Sequence, residues 1–191
     1  MENLDKNNST EINDLRNQIE STGIDTSQWG KGSSKTLEHL KKEIDNKETI
    51  LIKDKNGELL RKVVVGCADI YHETQEGEKF RLIEEKQIFK DGRERKRDLG
   101  QAVSEKIQIG EDTEEAMLRG IEEELGIKGE IDLEKNGEDI EIKTSDSYPG
   151  LKSQYENHRF TVFLNSSQFN LGGYIEEQED KSTYFIWNKI N

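Results

Sequence analysis

Few residues of the types that rigidify or cross-link a chain occur here: 191 residues include one cysteine, one proline, two methionines and two tryptophans. With Cys67 alone, an internal disulfide is excluded and a reducing, cytoplasmic setting is expected. Its expected place is that of a small core side chain on a strand. Apolar residues make up only 30% of the chain and the mean hydropathy is -0.97, so a modest core is expected. No run approaches the roughly 20 apolar residues of a membrane helix. The opening MENLDKNNST also lacks the apolar centre of a secretory leader. Basic charge is in deficit, with 28 Lys and Arg against 41 Asp and Glu and a net charge of -13. That balance opposes nucleic-acid backbones and anionic membranes, both of which need a basic footprint. A small phosphorylated ligand fits such a chain only where cations or a local basic group offset the repulsion. The local basic group is Lys90, Arg93, Arg95, Lys96 and Arg97, a run that in most chains is a solvated turn.

Residues 1–25, rich in Asn, Asp, Glu, Ser and Lys, read as a flexible arm, with Ile12, Leu15 and Ile19 marking at most a short helix. Residues 26–59 read as a helical and strand extension. Trp29 is expected to be a packing anchor. Ser33 or Ser34 is expected to cap a helix running to Asp45, with Leu37, Leu40 and Ile44 on one face and His39 at its surface. Thr49–Ile52 and Leu59–Glu73 read as strands about the turn Lys55-Asn56-Gly57-Glu58, and Phe80–Lys90 as a third. Lys128–Asp132 and Asp139–Ser145 are expected to form a hairpin about Asn136-Gly137. Asn157–Leu164 alternates as a strand, with His158 structural, and Thr183–Trp187 is the last strand. Tyr148 and Tyr155 are expected in packing roles before any stacking on a base. Repeats are absent.

The most informative stretch is Glu105–Ile127, EKIQIGEDTEEAMLRGIEEELGI. Met117, Leu118, Ile121 and Leu125 recur at three- and four-residue spacing, so Thr113–Leu125 reads as an amphipathic helix. Asp112 or Thr113 caps its start, and Gly126 supplies the left-handed stop. In a chain that is 36% charged a Glu run is ordinarily a solvated face; here the spacing carries the information.

That spacing resembles the Nudix box, whose order is Gly, five residues, Glu, seven residues, Arg-Glu, apolar, any, Glu-Glu, any, Gly, apolar. Glu111, Arg119, Ile121, Glu123, Glu124, Gly126 and Ile127 fall in register. The opening Gly is Glu105, and the Glu after the Arg is Gly120. The resemblance implies an α/β fold, a Nudix-like α/β/α sandwich with a mixed β-sheet over residues 60–191, carrying an N-terminal extension. It implies hydrolysis of a diphosphate compound, nucleoside-linked or related, with Mg2+ or Mn2+. Carboxylates at i, i+3 and i+4 share a helix face and converge on hard cations. Of that set Glu123 and Glu124 remain as metal ligands, with a backbone group near Ser104 as a further one. Arg119 is implied to hold the glutamates by ion pairing, and Glu111 to support the cluster. A distal catalytic Glu is implied on the loop after Gly172-Gly173, with Glu176 and Glu177 as candidates. The partner implied is a small phosphorylated ligand. Gly120 and Glu105 motivate the alternative of a catalytically impaired Nudix-like module that binds or regulates.

Overall fold

The computed structural model describes residues 2–97 and 100–190, with side chains from Thr10 onward. Its elements are helices α1 (Glu2–Glu20), α2 (Leu37–Asp45) and α3 (Thr113–Leu125), and strands β1 (Ile50–Lys53), β2 (Leu59–Glu73), β3 (Lys79–Phe89), β4 (Glu94–Arg95), β5 (Val103–Ile107), β6 (Asp132–Thr144), β7 (Lys152–Phe163), β8 (Tyr174–Glu177) and β9 (Lys181–Ile190). The fold is mixed α/β, with a large sheet and few helices. Packing divides it into two compact units: residues up to Val64 with Gln108–Gly110 and Ile140–Glu156, and Val65–Ile107 with Glu111–Asp139 and the chain from Asn157 onward. Strands β2, β6 and β7 each contribute residues to both units.

In the first unit the stretch expected to be an arm is helical. Leu15 and Ile19, one turn apart on α1, are buried with Trp29, Leu37, Leu40, Leu59, Tyr148 and Leu151. Three apolar side chains in a polar sequence suffice because spacing, not composition, places them on one stripe. Trp29 is the anchor expected, its ring 5.1 Å from Tyr148 and its Nε1 donating to the Pro149 carbonyl at 2.9 Å. The cap of α2 differs from the expected serines. Thr36 and His39 form a reciprocal capping box, so His39 is occupied by backbone. A buried ion pair closes this unit, with Arg61 Nη2 donating to Glu43 Oε2 at 2.7 Å and Lys35 reaching Glu43 Oε1 at 2.6 Å. The unit also includes residues 140–156, which the sequence reading had assigned to the same domain as the helix α3.

The second unit is built on β2, which pairs with β3; β3 pairs with β9, and β9 with β8, each antiparallel. Helix α3 buries Ala116, Met117, Ile121 and Leu125 against Ala68, Ile70, Leu82, Phe160, Val162 and Phe185. Leu118, expected in the apolar stripe, is only half-buried. Asp112 caps α3 by accepting from the amides of Glu114 and Glu115, and Gly126 ends it in the left-handed conformation at φ 69°. The expected hairpin about Asn136-Gly137 does not form: β6 runs through it unbroken, with Gly137 at a positive φ of 151°. Asn-Gly favours a turn but does not force one, and here the Asn136 side chain bonds Thr161 across to β7.

Candidate functional site

Register decides which side chains of the second unit meet. Gln87, Thr183 and Glu176 lie in one row across β3, β9 and β8. A β-bulge between Glu84 and Lys86 shifts the pairing, so Glu84 shares a face with Gln87 although two residues separate them. Bulges re-aim side chains in this way. Glu84, Gln87 and Thr183 are all buried.

Over that face lies a polar cleft of about 260 Å³, lined by Glu84, Gln87, Arg97, Ser104, Glu124, Glu176 and Thr183 among others. Arg97 Nε donates to Glu84 Oε1 at 2.8 Å, and a second guanidinium nitrogen reaches the other carboxylate oxygen. A two-pronged contact of this kind neutralises a carboxylate that burial would otherwise penalise. It also holds Arg97 in its charged form. Among the described residues Glu124 on α3 has no such partner. Burial first, then the charges of Glu176, Glu105 and Glu84, push its carboxyl up to about 8, with Arg97 opposing. A carboxyl in that condition retains its proton at neutral pH unless a cation arrives.

Beside the cleft, Arg119 gathers three carboxylates. Its Nη1 donates to Glu105 Oε1 at 2.8 Å and to Glu123 Oε2 at 3.4 Å, and its Nη2 to Glu111 Oε1 at 3.3 Å. Burial raises the Glu105 carboxyl against the pull of Arg119. Gly120, the next residue on α3, is buried under Glu105. A Cβ at Gly120 would stand 2.9 Å from Glu105 Cβ and 3.0 Å from its Cγ.

The residues proposed from sequence therefore separate into two groups. Glu124, Ser104 and Glu176 line the cleft, whereas Glu111, Arg119 and Glu123 form the adjoining ion-pair cluster. Glu123, expected beside Glu124 as a ligand, does not line the cleft. Its side chain is 60% exposed and turned to Arg119, because adjacent helical residues point about 100° apart. Glu176 and Glu177 lie on strand β8, not on a loop, so they face opposite ways. Glu177 is exposed and accepts from Ser182 Oγ at 2.7 Å. The sequence reading missed Glu84, Gln87 and Thr183. A charged residue at an inward position, two after the buried Leu82, was the available signal for Glu84. Of the basic run, Arg97 alone lines this cleft; Arg93 pairs with Asp91, Lys96 with Glu94, and Arg95 donates to Gln87 Oε1 at 3.0 Å. Tyr148 lies in the core of the other unit.

Whether these residues suit a divalent cation can be judged from the donor set. Glu124 and Glu176 offer hard carboxylate oxygens, and at Glu124 burial and like charge outweigh the pull of Arg97. Among the described residues no group of three acidic, His or Cys side chains is closed enough to enclose an ion by itself. Magnesium is held in just this way in many sites, by one or two carboxylates with water and substrate phosphate completing the shell. The donor chemistry fits.

The similar solved structures include an Ap4A hydrolase of C. elegans, 12% identical over 66% of this chain and 80% of that one, with a TM-score of 0.38. A binary complex of a C. elegans Ap4A hydrolase is 13% identical over the same shares, with a TM-score of 0.40. The Nudix hydrolase RenU of M. smegmatis is 14% identical over 73% of this chain and 79% of that one, with a TM-score of 0.33. No family model and no curated protein matches the sequence. Among the described residues no helix is long and apolar enough to cross a membrane.

Proposed function

We propose that the chain is a Mg2+- or Mn2+-dependent hydrolase of a diphosphate compound, nucleoside-linked or related. The observation that carries this reading is the cleft itself. A helix carboxylate, Glu124, and a strand carboxylate, Glu176, face one another beside a fixed guanidinium, Arg97. A diphosphate entering alone would meet the Glu176 carboxylate beside a Glu124 that burial and like charge keep protonated; entering with a divalent cation it relieves that condition. Glu124 and Glu176 would hold the cation, which when bound neutralises phosphate charge and polarises water. Arg97 offers guanidinium donors to a phosphate oxygen while Glu84 keeps its plane fixed. Gln87 and Thr183 add neutral hydrogen-bonding groups at the cleft floor. Glu176, on strand β8, is the group to take a proton from the attacking water at a carboxylate oxygen. Arg119 keeps Glu111 and Glu123 ion-paired beside the cleft, which shields Glu124 from further like charge.

A second reading has its own observation, the missing carboxylate at Gly120, and makes the chain a binding or regulatory module without turnover. A panel of dinucleotide, sugar-nucleotide and nucleoside triphosphate substrates with Mg2+ or Mn2+ tests the two. Turnover that falls by at least about a hundredfold in Glu124→Gln supports hydrolysis. A wild type no faster than Glu124→Gln or Glu123→Gln on every substrate defeats it; thermal stabilisation by the same compounds without products would favour the binding module.

A further inference from the structure

The two positions at which the chain departs from the box are in contact. Glu105, where the box has Gly, extends over Gly120, where the box has Glu. No side chain fits at 120 while Glu105 is in place, because the atoms a Cβ would meet are Cβ and Cγ, close to the β5 backbone rather than at a mobile tip. Glu105 also carries a carboxylate to the flank of α3, where it makes the shortest of the Arg119 contacts. Its charge is felt at Glu124 as well. We propose that Glu105 and Gly120 are a reciprocal exchange: the carboxylate absent from the helix at 120 is delivered to the same place from strand β5, and Glu105 is a positioning residue of the cleft, acting through Arg119.

Physically the exchange preserves what the site needs and changes only the backbone that supplies it. A carboxylate at 120 would stand one residue from Arg119 and three and four from Glu123 and Glu124. Glu105 reaches that volume from across the β5–α3 contact, with its side chain 19% exposed. Held between Glu105 and Glu111, the Arg119 guanidinium is kept along the edge of the cleft, and Glu123 follows it. Without Glu105, Arg119 keeps only its longer contacts and is free to turn toward solvent or toward the cleft.

The inference rests on the hydrolase reading, and the experiment separates the failure of one from the failure of the other. Wild type, Glu105→Gln, Glu105→Gly, Gly120→Glu and the double variant Glu105→Gly/Gly120→Glu are compared in two measurements. One is kcat and KM on the substrate selected by the panel; the other is the shift in Tm on adding Mn2+ alone. The isosteric Glu105→Gln keeps the volume over Gly120 and removes the charge, so it serves where Gly120→Glu fails to fold. The exchange predicts a loss of about tenfold or more in kcat for Glu105→Gln, with a reduced Mn2+ shift and a metal-free Tm close to wild type. It also predicts that the double variant recovers to within a few-fold of wild type in kcat and Mn2+ shift, although each single change is impaired. Wild-type kcat and Mn2+ response in Glu105→Gln, or a double variant as poor as the product of its singles, overturns the exchange and leaves the hydrolase reading standing. A wild type without turnover or Mn2+ response overturns the hydrolase reading and the positioning role with it. Activity that appears only in the double variant shows that Glu105 does not stand in for the missing group.

Discussion

Replacing Gly120 by alanine is an unusual test, because helix propensity and packing make opposite predictions for it. Gly120 lies inside α3, followed by five further helical residues. An alanine in a helix interior is favoured over glycine by about 1 kcal/mol, through backbone entropy alone. On that ground Gly120→Ala stabilises. The structure reverses the sign. The new methyl would stand 2.9 Å from Glu105 Cβ and 3.0 Å from Cγ, inside the distance that carbon atoms tolerate. Relief requires β5 or α3 to move, and overpacking of this kind costs about 1–3 kcal/mol. The net expectation is a loss of about 1 kcal/mol, a fall of roughly 2–4 °C in Tm for a chain of this size. The partner substitution must be Glu105→Gly, because Glu105→Ala leaves the obstructing Cβ in place. In that background the obstruction is gone and Gly120→Ala should recover the gain of about 1 kcal/mol. The assay is thermal and urea denaturation of the four proteins, each alanine variant compared with its own parent. A rise in Tm for Gly120→Ala in the wild-type background refutes the reasoning, as does an equal change in both backgrounds.

Two further outcomes follow from the electrostatics. Glu124 holds its proton up to about pH 8 in the folded chain, against the ordinary value of 4.5 when unfolded. A raised carboxyl contributes stability that is complete below about 4.5 and is lost as pH rises through 8. Glu124→Gln escapes that loss, so its Tm should gain on the wild type between pH 5 and pH 9. A tenfold change in proton affinity is about 1.4 kcal/mol, and with solvent screening in a half-open cleft the gain is on the order of 1–2 kcal/mol. Mn2+ should restore the wild type above pH 8 and leave the variant unmoved; parallel pH profiles without metal would contradict this. In the other unit, Glu43→Ala strands Arg61, whose side chain is only 6% exposed. Removing one member of a buried pair costs about 3–5 kcal/mol, so urea denaturation should show a large fall in midpoint, and an unchanged midpoint would refute the pair's structural role.

How far the sequence could be read depended on the range of the interaction. Helix α3, its Asp112 cap and its Gly126 stop were legible because all three are set by neighbours within four residues. Strand β2 was legible from end to end for the same reason, its alternation being local. The helical α1 was underestimated because three apolar residues matter only once a core exists to receive them. The Asn136-Gly137 turn was overestimated because pairing with β7 outweighs a local turn preference. At the site, Glu124 and Arg119 were singled out by the resemblance to the box. Gln87 was not, because its direction is set by the bulge between Glu84 and Lys86 in the β3–β9 pairing, which no local pattern in β3 announces.

The same distinction bears on how the box itself is judged. Read position by position, Glu105 and Gly120 count as two independent losses, one of a close backbone approach and one of a ligand. They are fifteen residues apart in sequence, too far for spacing to connect them. In space they are in van der Waals contact, and the bulk added at one is the bulk removed at the other. Two random losses would leave either a void over the helix or an unpaired carboxylate on β5. Neither is present: Glu105 fills the space over Gly120, and its carboxylate is bonded to Arg119 at 2.8 Å. On the proposed exchange, side-chain volume and charge are kept across the pair although each position departs from the box. A change of bulk at 105 or 120 alone tests a packing conflict, whereas the isosteric Glu105→Gln and the paired substitution test the chemistry.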